Sequence, residues 1–257
     1  MKHETFQRPA GRTDALCCVF YVSFEHMKKL HRFIGNFDLT AARLLIREPG
    51  LIHQLRDVLK LRVGEKIVLA DGRGAEAPCE LAAIDKTGIE IAVGEMRESD
   101  EPKRRVILYC AILKRENLEY AIEKAVECGV AVVVPIITAH TVKLGLNLER
   151  LRKIAQEAAE QCGRAVVPEI TDAVKFAAAL KAAGENDINY FFDAAGEEFA
   201  RAKSLAEAVG VWIGPEGGWE AFESNTAREA GFAVASLGPL ILRAETAAAV
   251  AVYLAAR

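Results

Sequence analysis

Apolar segments of strand length alternate with segments of helical periodicity along the second half of the chain, and this alternation limits the folds available to it. Continuous apolar runs are typical of strands that are covered on both faces, as in a parallel sheet. The predicted strands cover residues 106–113, 130–137, 166–170, 188–193, 209–214 and 233–237. The predicted helices cover residues 117–128, 147–162, 171–183, 198–208, 220–230 and 243–256. Strands separated by helices predict an α/β domain with a mostly parallel sheet over residues 104–257.

Residues 27–98 carry a different pattern, in which short strands follow one another closely. The predicted strands cover residues 66–70, 77–84 and 89–93, and a short helical segment covers residues 52–59. A tight turn is predicted at residues 71–74, where the sequence reads Asp-Gly-Arg-Gly. This spacing is typical of a small β-barrel domain.

Two further segments depart from these patterns. Residues 96–105 are charged and contain Pro102, which predicts an interdomain linker. Residues 1–26 fit neither pattern, and we expect an extension with little fixed structure, or one that arises from an upstream start codon.

The composition favours a cytoplasmic protein without a metal. No stretch reaches the roughly 18 consecutive apolar residues that a membrane helix needs, and residues 1–22 lack the arrangement of a signal peptide. The six cysteines include no Cys-x-x-Cys pair, and the neighbouring Cys17 and Cys18 lack partner ligands. Reduced thiols are therefore expected.

Positive charge is concentrated in the first domain, although the net charge of the chain is −3. Residues 27–69 carry nine Lys and Arg against four Asp and Glu. A basic module of this kind is compatible with binding to the phosphate groups of a nucleic acid. A chance excess on a solvated surface explains the charge equally well, so both interpretations stay open.

A glycine-rich segment follows the strand that is predicted to end near residue 214. Residues 213–218 read Ile-Gly-Pro-Glu-Gly-Gly, and a helix comes next. Ligands of open α/β sheets bind outside the carboxyl ends of the strands, where glycines let the backbone approach them closely. The segment matches neither a Walker A loop nor Gly-x-Gly-x-x-Gly. It predicts a ligand site, with a simple strand-to-helix turn as the alternative.

A second Gly-Pro pair follows the last predicted strand, where residues 237–246 read Leu-Gly-Pro-Leu-Ile-Leu-Arg-Ala-Glu-Thr. Arg243 and Glu245 stand at the start of the last helix. Because a cation at a helix N-terminus opposes the helix dipole, Arg243 is expected to have another partner. That partner is Glu245, Glu216 or a phosphate group of the substrate.

Together, the two loops resemble those of the RsmE family, the 16S rRNA (uridine(1498)-N3)-methyltransferases of the SPOUT superfamily. Further similarity lies in residues 124–130, Lys-Ala-Val-Glu-Cys-Gly-Val, and in residues 160–164, Glu-Gln-Cys-Gly-Arg. Residues 53–64, His-Gln-Leu-Arg-Asp-Val-Leu-Lys-Leu-Arg-Val-Gly, resemble the family's PUA-like RNA-binding module. The resemblance extends from about residue 27 to the end of the chain.

The resemblance implies a fold, a cofactor and partners. The fold is a C-terminal SPOUT domain with an α/β trefoil knot and a small N-terminal PUA-like β-barrel domain. The implied cofactor is S-adenosyl-L-methionine, and the implied partners are 16S rRNA of the small ribosomal subunit and a second copy of the chain. The expected cofactor-binding residues are Ile213, Gly214, Pro215, Gly217, Gly218, Leu237, Gly238, Leu242 and Asp193. The expected RNA-binding residues are Arg32, Arg43, Arg56, Lys60, Arg62, Lys114 and Arg164.

Under this resemblance, the catalytic candidates are Glu216 and Arg243. Methyl transfer to N3 of uridine is an in-line displacement, and the N3 proton must leave before or during it. Glu216 is the candidate base or orienting group, with capping of the following helix as its alternative. Arg243 is expected to stabilise the developing negative charge or to grip phosphate. Trp219 either stacks on a base or packs against the sheet.

Three residues depart from the family pattern. Leu240 stands where many members carry an arginine, Ala244 replaces a common threonine, and His140 takes the place of an arginine. The departures at Leu240 and His140 leave open an RNA-binding assembly factor without catalysis. Among enzymes, the alternative is another SPOUT reaction such as ribose 2′-O methylation, against which residues 237–246 and the PUA-like domain argue.

Overall fold

Six short strands form the sheet of the first domain in the computed structural model, which describes residues 30–85, 87–141, 145–199 and 206–257. The strands are β1 (His31–Ile34), β2 (Arg43–Ile46), β3 (Lys66–Ala70), β4 (Ala75–Ile84), β5 (Ile89–Val93) and β6 (Arg97–Glu98). Their order is β1-β3-β4-β5-β2, with β6 beside β4. The β1–β3 pair is parallel and the other pairs are antiparallel. The predicted extension, residues 1–26, lies outside the described residues.

Alternating apolar residues of these strands build the core of the first domain. The fully buried side chains are Ile67, Leu69, Leu81, Ile89 and Ile91, together with Leu55. Each such burial stabilises the fold by roughly 1.5–3 kcal/mol. Leu55 comes from the predicted helical segment, which is helix α1 (Pro49–His53) followed by a π-helical turn over Gln54–Val58. The prediction of a helix here is confirmed, whereas strand β2 was not predicted.

The prediction of an interdomain linker over residues 96–105 is partly wrong. Strand β6 pairs with the start of β4, and the Arg97 side chain forms a 2.8 Å salt bridge with the buried Glu76. The charge of Arg97 therefore supports the pairing of β6 with β4 and does not keep a linker solvated.

Seven parallel strands form the sheet of the second domain, as the alternation of segments predicts. They are β7 (Arg105–Ala111), β8 (Val130–Ile137), β9 (Glu169–Ile170), β10 (Val174–Lys175), β11 (Ile188–Glu198), β12 (Ala208–Ile213) and β13 (Ala233–Ser236). Their order is β10-β8-β7-β12-β11-β13, with β9 beside β8, and every pair is parallel. The buried residues of the four central strands form the core together with apolar residues of the helices that pack on the sheet.

Five helices accompany this sheet in the described part of the chain: α2 (Arg115–Glu127), α3 (Leu148–Cys162), α4 (Phe176–Ala182), α5 (Ala221–Glu229) and α6 (Ala244–Ala256). Helix α3 begins where its cap predicts, because Asn147 accepts a 3.0 Å hydrogen bond from the Arg150 backbone N–H. No helix of the described residues is long and apolar enough to cross a membrane.

Two predicted helices differ from the structure. The one expected over residues 171–183 begins only at Phe176, because Val174 and Lys175 pair with β8 as β10. The one expected from residue 198 is wrong at its start, since β11 continues to Glu198; residues 200–205 lie outside the described part. Gly196 permits the longer strand, because a Cβ there would stand 2.6 Å from the backbone of Ala235 in β13.

Polar side chains of α3 join the second domain to β1 of the first. Gln156 donates to the Ile34 carbonyl at 2.9 Å, and the Ile34 backbone N–H donates to Glu160 at 2.9 Å. Burial raises the pKa of the Glu160 carboxyl. These bonds satisfy both backbone groups of Ile34, a residue that belongs to the core of the second domain.

Candidate active site

Phe192, Asp193 and Ala194 of β11 and the loops that follow β12 and β13 line one cavity of about 830 Å³. Parallel strands end at the same edge of a sheet, so the two loops meet there. The cavity is lined by Asp193, which lies within β11 where its pairing with β13 shifts register, by Ile213, Gly214, Pro215, Glu216, Gly218 and Trp219 around the end of β12, and by residues 236–245 after β13. All but one of the nine expected cofactor-binding residues are thus brought together; Gly217 is not among the lining residues.

Gly217 lies against His140 instead. A Cβ at Gly217 would stand 3.2 Å from Nδ1 of His140. The imidazole bridges two acceptors, with Nδ1 3.0 Å from the Gly218 carbonyl and Nε2 2.7 Å from the Glu220 carboxylate. The Gly218 carbonyl above all, and then Glu220, raise the pKa of His140. His140 therefore connects the turn that follows β8 to the glycine-rich loop that follows β12.

Trp219 packs against the sheet, which was one of its two expected roles. The centroid of its ring lies 4.3 Å from that of the Phe191 ring, and its indole N–H donates a 2.9 Å hydrogen bond to the Phe192 carbonyl. A Cβ at Gly214 would stand 2.9 Å from the indole. Gly214 is required because the loop folds back over the ring of Trp219.

Glu216 makes its contacts with α2, far away in the sequence. Its carboxylate accepts from the Asn117 side-chain amide at 3.0 Å and from the Lys114 backbone N–H at 3.3 Å. Burial opposes ionisation, but these bonds and one from its own backbone N–H outweigh it, so the pKa of Glu216 is lowered. The alternative of capping the following helix is wrong: Glu220 and Glu223 form the capping box of α5.

Arg243 stands exposed at the N-cap of α6 and lines the cavity. Among the described residues it makes no ion pair, so the expected pairing with Glu245 or Glu216 is not formed. Glu245, two residues on, is buried, and its Oε2 atom has no hydrogen-bond partner among the residues that the structure describes. The neighbouring Leu240 and Ile241 are 77% and 91% exposed.

Asp193 is held within β11, next to its register shift, by local hydrogen bonds. Its carboxylate accepts from the Ser224 hydroxyl at 2.9 Å and from the Ala195 backbone N–H at 2.9 Å. Neither Ser224 nor Asn117 carried a sequence signal for this site, since both lie within helices and reach it only through the tertiary fold.

The expected RNA-binding residues divide into exposed and internal groups. Lys60, Arg62 and Lys114 are exposed, and Arg43 and Arg56 form surface ion pairs with Glu90 and Asp57. Arg32 is 12% exposed and forms an ion pair with the buried Glu76. We correct the interpretation of Arg32 because its guanidinium is already neutralised inside the domain.

Arg164 requires the same correction. Its side chain is 10% exposed and pairs with Glu101 at 2.9 Å. It also donates to the carbonyls of Val126 and Val130 at 3.1 and 2.7 Å. Arg164 joins chain segments inside the protein and has little charge to offer to RNA. The described residues contain no group of three or more His, Cys, Asp or Glu side chains that could hold a metal ion.

Comparison with known proteins agrees with this geometry. An RNA methyltransferase domain family matches residues 99–256, and an RNA methyltransferase PUA domain family matches residues 53–93. The ribosomal RNA small subunit methyltransferase E of Rickettsia conorii is 31% identical over 231 residues, which are 88% of this chain and 94% of that protein. Its counterpart in Bacillus subtilis is 29% identical and covers 76% of this chain and 83% of its own length.

A solved structure resembles the whole described fold. It is the ribosomal RNA small subunit methyltransferase E from Neisseria gonorrhoeae bound to S-adenosyl methionine, with a TM-score of 0.78 and 28% identity. The match covers 87% of this chain and 95% of that one.

The second domain has the parallel sheet and the loops that meet at the cavity, and the first domain has the smaller, mostly antiparallel sheet. Together with the family matches, they define a SPOUT-type α/β trefoil-knot RNA methyltransferase that carries a PUA-like domain. Within that class, the chain belongs to the ribosomal RNA small subunit methyltransferase E family.

Proposed function

We propose that this protein methylates N3 of one uridine in 16S rRNA of the small ribosomal subunit, with S-adenosyl-L-methionine as the methyl donor. The observation that carries the proposal is the cavity of about 830 Å³ beside β11 and at the ends of β12 and β13. It gathers two glycine-proline loops, a carboxylate and the guanidinium of Arg243, which forms no ion pair among the described residues.

The residues present fit the methyl donor. The space beside Gly218 and Gly238 is open, since a Cβ at either would meet nothing within 4 Å, and it leaves room for a ligand, while Ile213 and Leu242 offer apolar contact. Asp193 supplies an acceptor for a hydroxyl or amino group. When bound, the methyl donor supplies an electrophilic methyl group, and the protein's part is to orient it toward the base.

Arg243 is the proposed stabiliser of charge on the target base. Once the N3 proton has passed to solvent, negative charge spreads onto the neighbouring carbonyl oxygens, which a nearby guanidinium stabilises. Arg243 forms no ion pair with any described residue and lies on the cavity wall, and both observations support this assignment. Glu216 is proposed to orient α2 rather than to take the proton, since a lowered pKa makes a weak base.

The first domain is proposed to hold the RNA. We retain the division into residues 27–98 and 104–257 as the RNA-binding and methyltransferase domains. Exposed Arg43, Lys60 and Arg62 are proposed to contact phosphates, and Lys114 stands at the cavity itself. Because N3 lies on the Watson–Crick edge, the target uridine must be unpaired or flipped out.

A homodimer is proposed from the exposed apolar residues of α2 and α6. Tyr120 on α2 and Val250 and Tyr253 on α6 are 49%, 37% and 42% exposed. These two helices pack against each other, and we propose that a second copy of the chain covers the three exposed side chains.

The proposed reaction is tested with purified protein, the methyl donor and small-subunit particles from a strain that lacks the gene. Mass mapping of the rRNA is expected to find one N3-methylated uridine with the wild type and none, or far less, with Arg243→Ala. Arg228→Ala, an exposed arginine of α5, is the matched control. Methylation of a ribose would indicate another SPOUT reaction, and binding of the methyl donor without methylation would indicate an assembly factor.

A further inference from the structure

Glu245 carries a buried carboxylate oxygen without a hydrogen-bond partner. The residue is 8% exposed, and its Oε2 atom is the one buried side-chain nitrogen or oxygen of the described residues that lacks a partner. It belongs to the wall of the cavity that we assign to the methyl donor. Leaving a buried acceptor unpaired destabilises the folded protein, and more so when the acceptor is charged.

The helix dipole does not account for this burial. Glu245 is the second residue of α6, where a carboxylate is favourable but needs no burial. Glu116 holds the same position in α2 and is exposed. Nor does the nearby cation account for it, because Arg243 does not pair with Glu245.

We propose that Glu245 accepts a hydrogen bond from an N–H donor of a ligand in this cavity. The inference rests on the proposed function, which offers two sources of such a donor. One is an amino group of the methyl donor, and the other is the N3–H imide group of the target base. In both, the donor satisfies Oε2 and fixes the ligand at the N-terminal turn of α6.

Glu245→Met tests the proposal, because it fills the same space without an acceptor. An unpaired buried carboxylate that only costs stability should be replaceable by an apolar side chain of similar size without destabilising the protein. Glu116→Met is the matched control, since it removes a carboxylate from the equivalent exposed helix position. Glu245→Gln keeps a neutral acceptor and should have an intermediate effect.

Three quantities are measured for each variant: the melting temperature without ligand, the equilibrium affinity for S-adenosylmethionine, and the single-turnover methylation rate at saturating methyl donor. The melting temperature of Glu245→Met should be no lower than that of Glu116→Met. Either the affinity or the rate should fall about ten- to a hundredfold, as for a hydrogen bond to a charged group.

The two functional measurements distinguish the two sources. Loss of affinity identifies the methyl donor, and loss of rate with unchanged affinity identifies the target base. If neither changes beyond the control, or if only the melting temperature falls, the proposal for Glu245 is overturned and the proposed function stands. If the wild type neither binds the methyl donor nor methylates RNA, both are overturned.

Discussion

The side-chain amide of Asn117 donates a 3.0 Å hydrogen bond to the carboxylate of Glu216, although 99 positions of sequence separate them. This contact joins the first turn of α2 to the loop after β12. A residue outside the flanking strand and helix thus holds the loop in place. The conformation of the loop therefore cannot be predicted from its local sequence.

Asn117→Ala is expected to lower both the free energy of unfolding and the affinity for S-adenosylmethionine. Loss of one hydrogen bond to a charged group should cost about 1 kcal/mol at this exposed position, and the loop would be less well ordered. Urea unfolding and calorimetric binding measure the two effects. Asn225→Ala, at an exposed position of α5, serves as the control; equal affinities in the two variants would count against the contact.

Trp219→Ala should destabilise the protein by about 3 kcal/mol, since it removes a large ring packed on Phe191 and the hydrogen bond from the indole N–H to the Phe192 carbonyl. Trp219→Phe keeps most of the packing and should cost about 1 kcal/mol. Chemical denaturation provides both values. If Trp219→Ala left stability unchanged but abolished RNA binding, the stacking role would be correct instead.

His140 predicts a pH dependence of stability. Its pKa in the folded protein is raised above the ordinary value of 6.5, chiefly by the Gly218 carbonyl. Its contribution is therefore fully present below the unfolded pKa and is lost as pH rises through the folded pKa. The free energy of unfolding should decrease across this window more in the wild type than in His140→Gln. Parallel pH curves for the two proteins would exclude the bridge as a source of stability.

RNA affinity should separate the exposed cations from the internal one. Lys60→Ala combined with Arg62→Ala should weaken RNA binding and reduce the slope of log affinity against log salt by about 1.5. Arg164→Ala should leave that slope unchanged and lower the free energy of unfolding, because it leaves Glu101 unpaired. Filter binding at several salt concentrations measures the RNA affinity and its salt slope for each variant. An unchanged slope in the double variant would remove these residues from the RNA surface.

Tyr253→Glu should shift the protein from dimer to monomer, since it places a charge among the exposed apolar residues of α2 and α6. Sedimentation velocity at micromolar concentration measures the change. Leu45→Glu, a comparably exposed apolar position in β2, should leave the oligomeric state unaltered. A wild-type protein that sediments as a monomer would contradict the proposed dimer.

Much of the architecture follows from local patterns. Strand β8 has its predicted limits, Val130–Ile137, because a continuous apolar run is buried on both faces wherever it lies in a parallel sheet. Asn147 predicts the start of α3 because capping needs only the next three residues. The glycines and prolines after β12 and β13 likewise predict a ligand site, since backbone conformation and strand direction determine where such loops lie.

The sequence by itself determined the two domains, the parallel sheet and most of the cavity's lining residues. Only the tertiary structure decided that Glu216 binds α2, that Trp219 packs under Gly214, and that Arg164 pairs with Glu101 instead of facing solvent. It also decided that β11 runs on to Glu198, through the close approach of Gly196 to Ala235. The physical reason is range: periodicity, capping and turn chemistry act over a few residues, whereas partners of charged and aromatic side chains are chosen among groups that only the folded chain brings together.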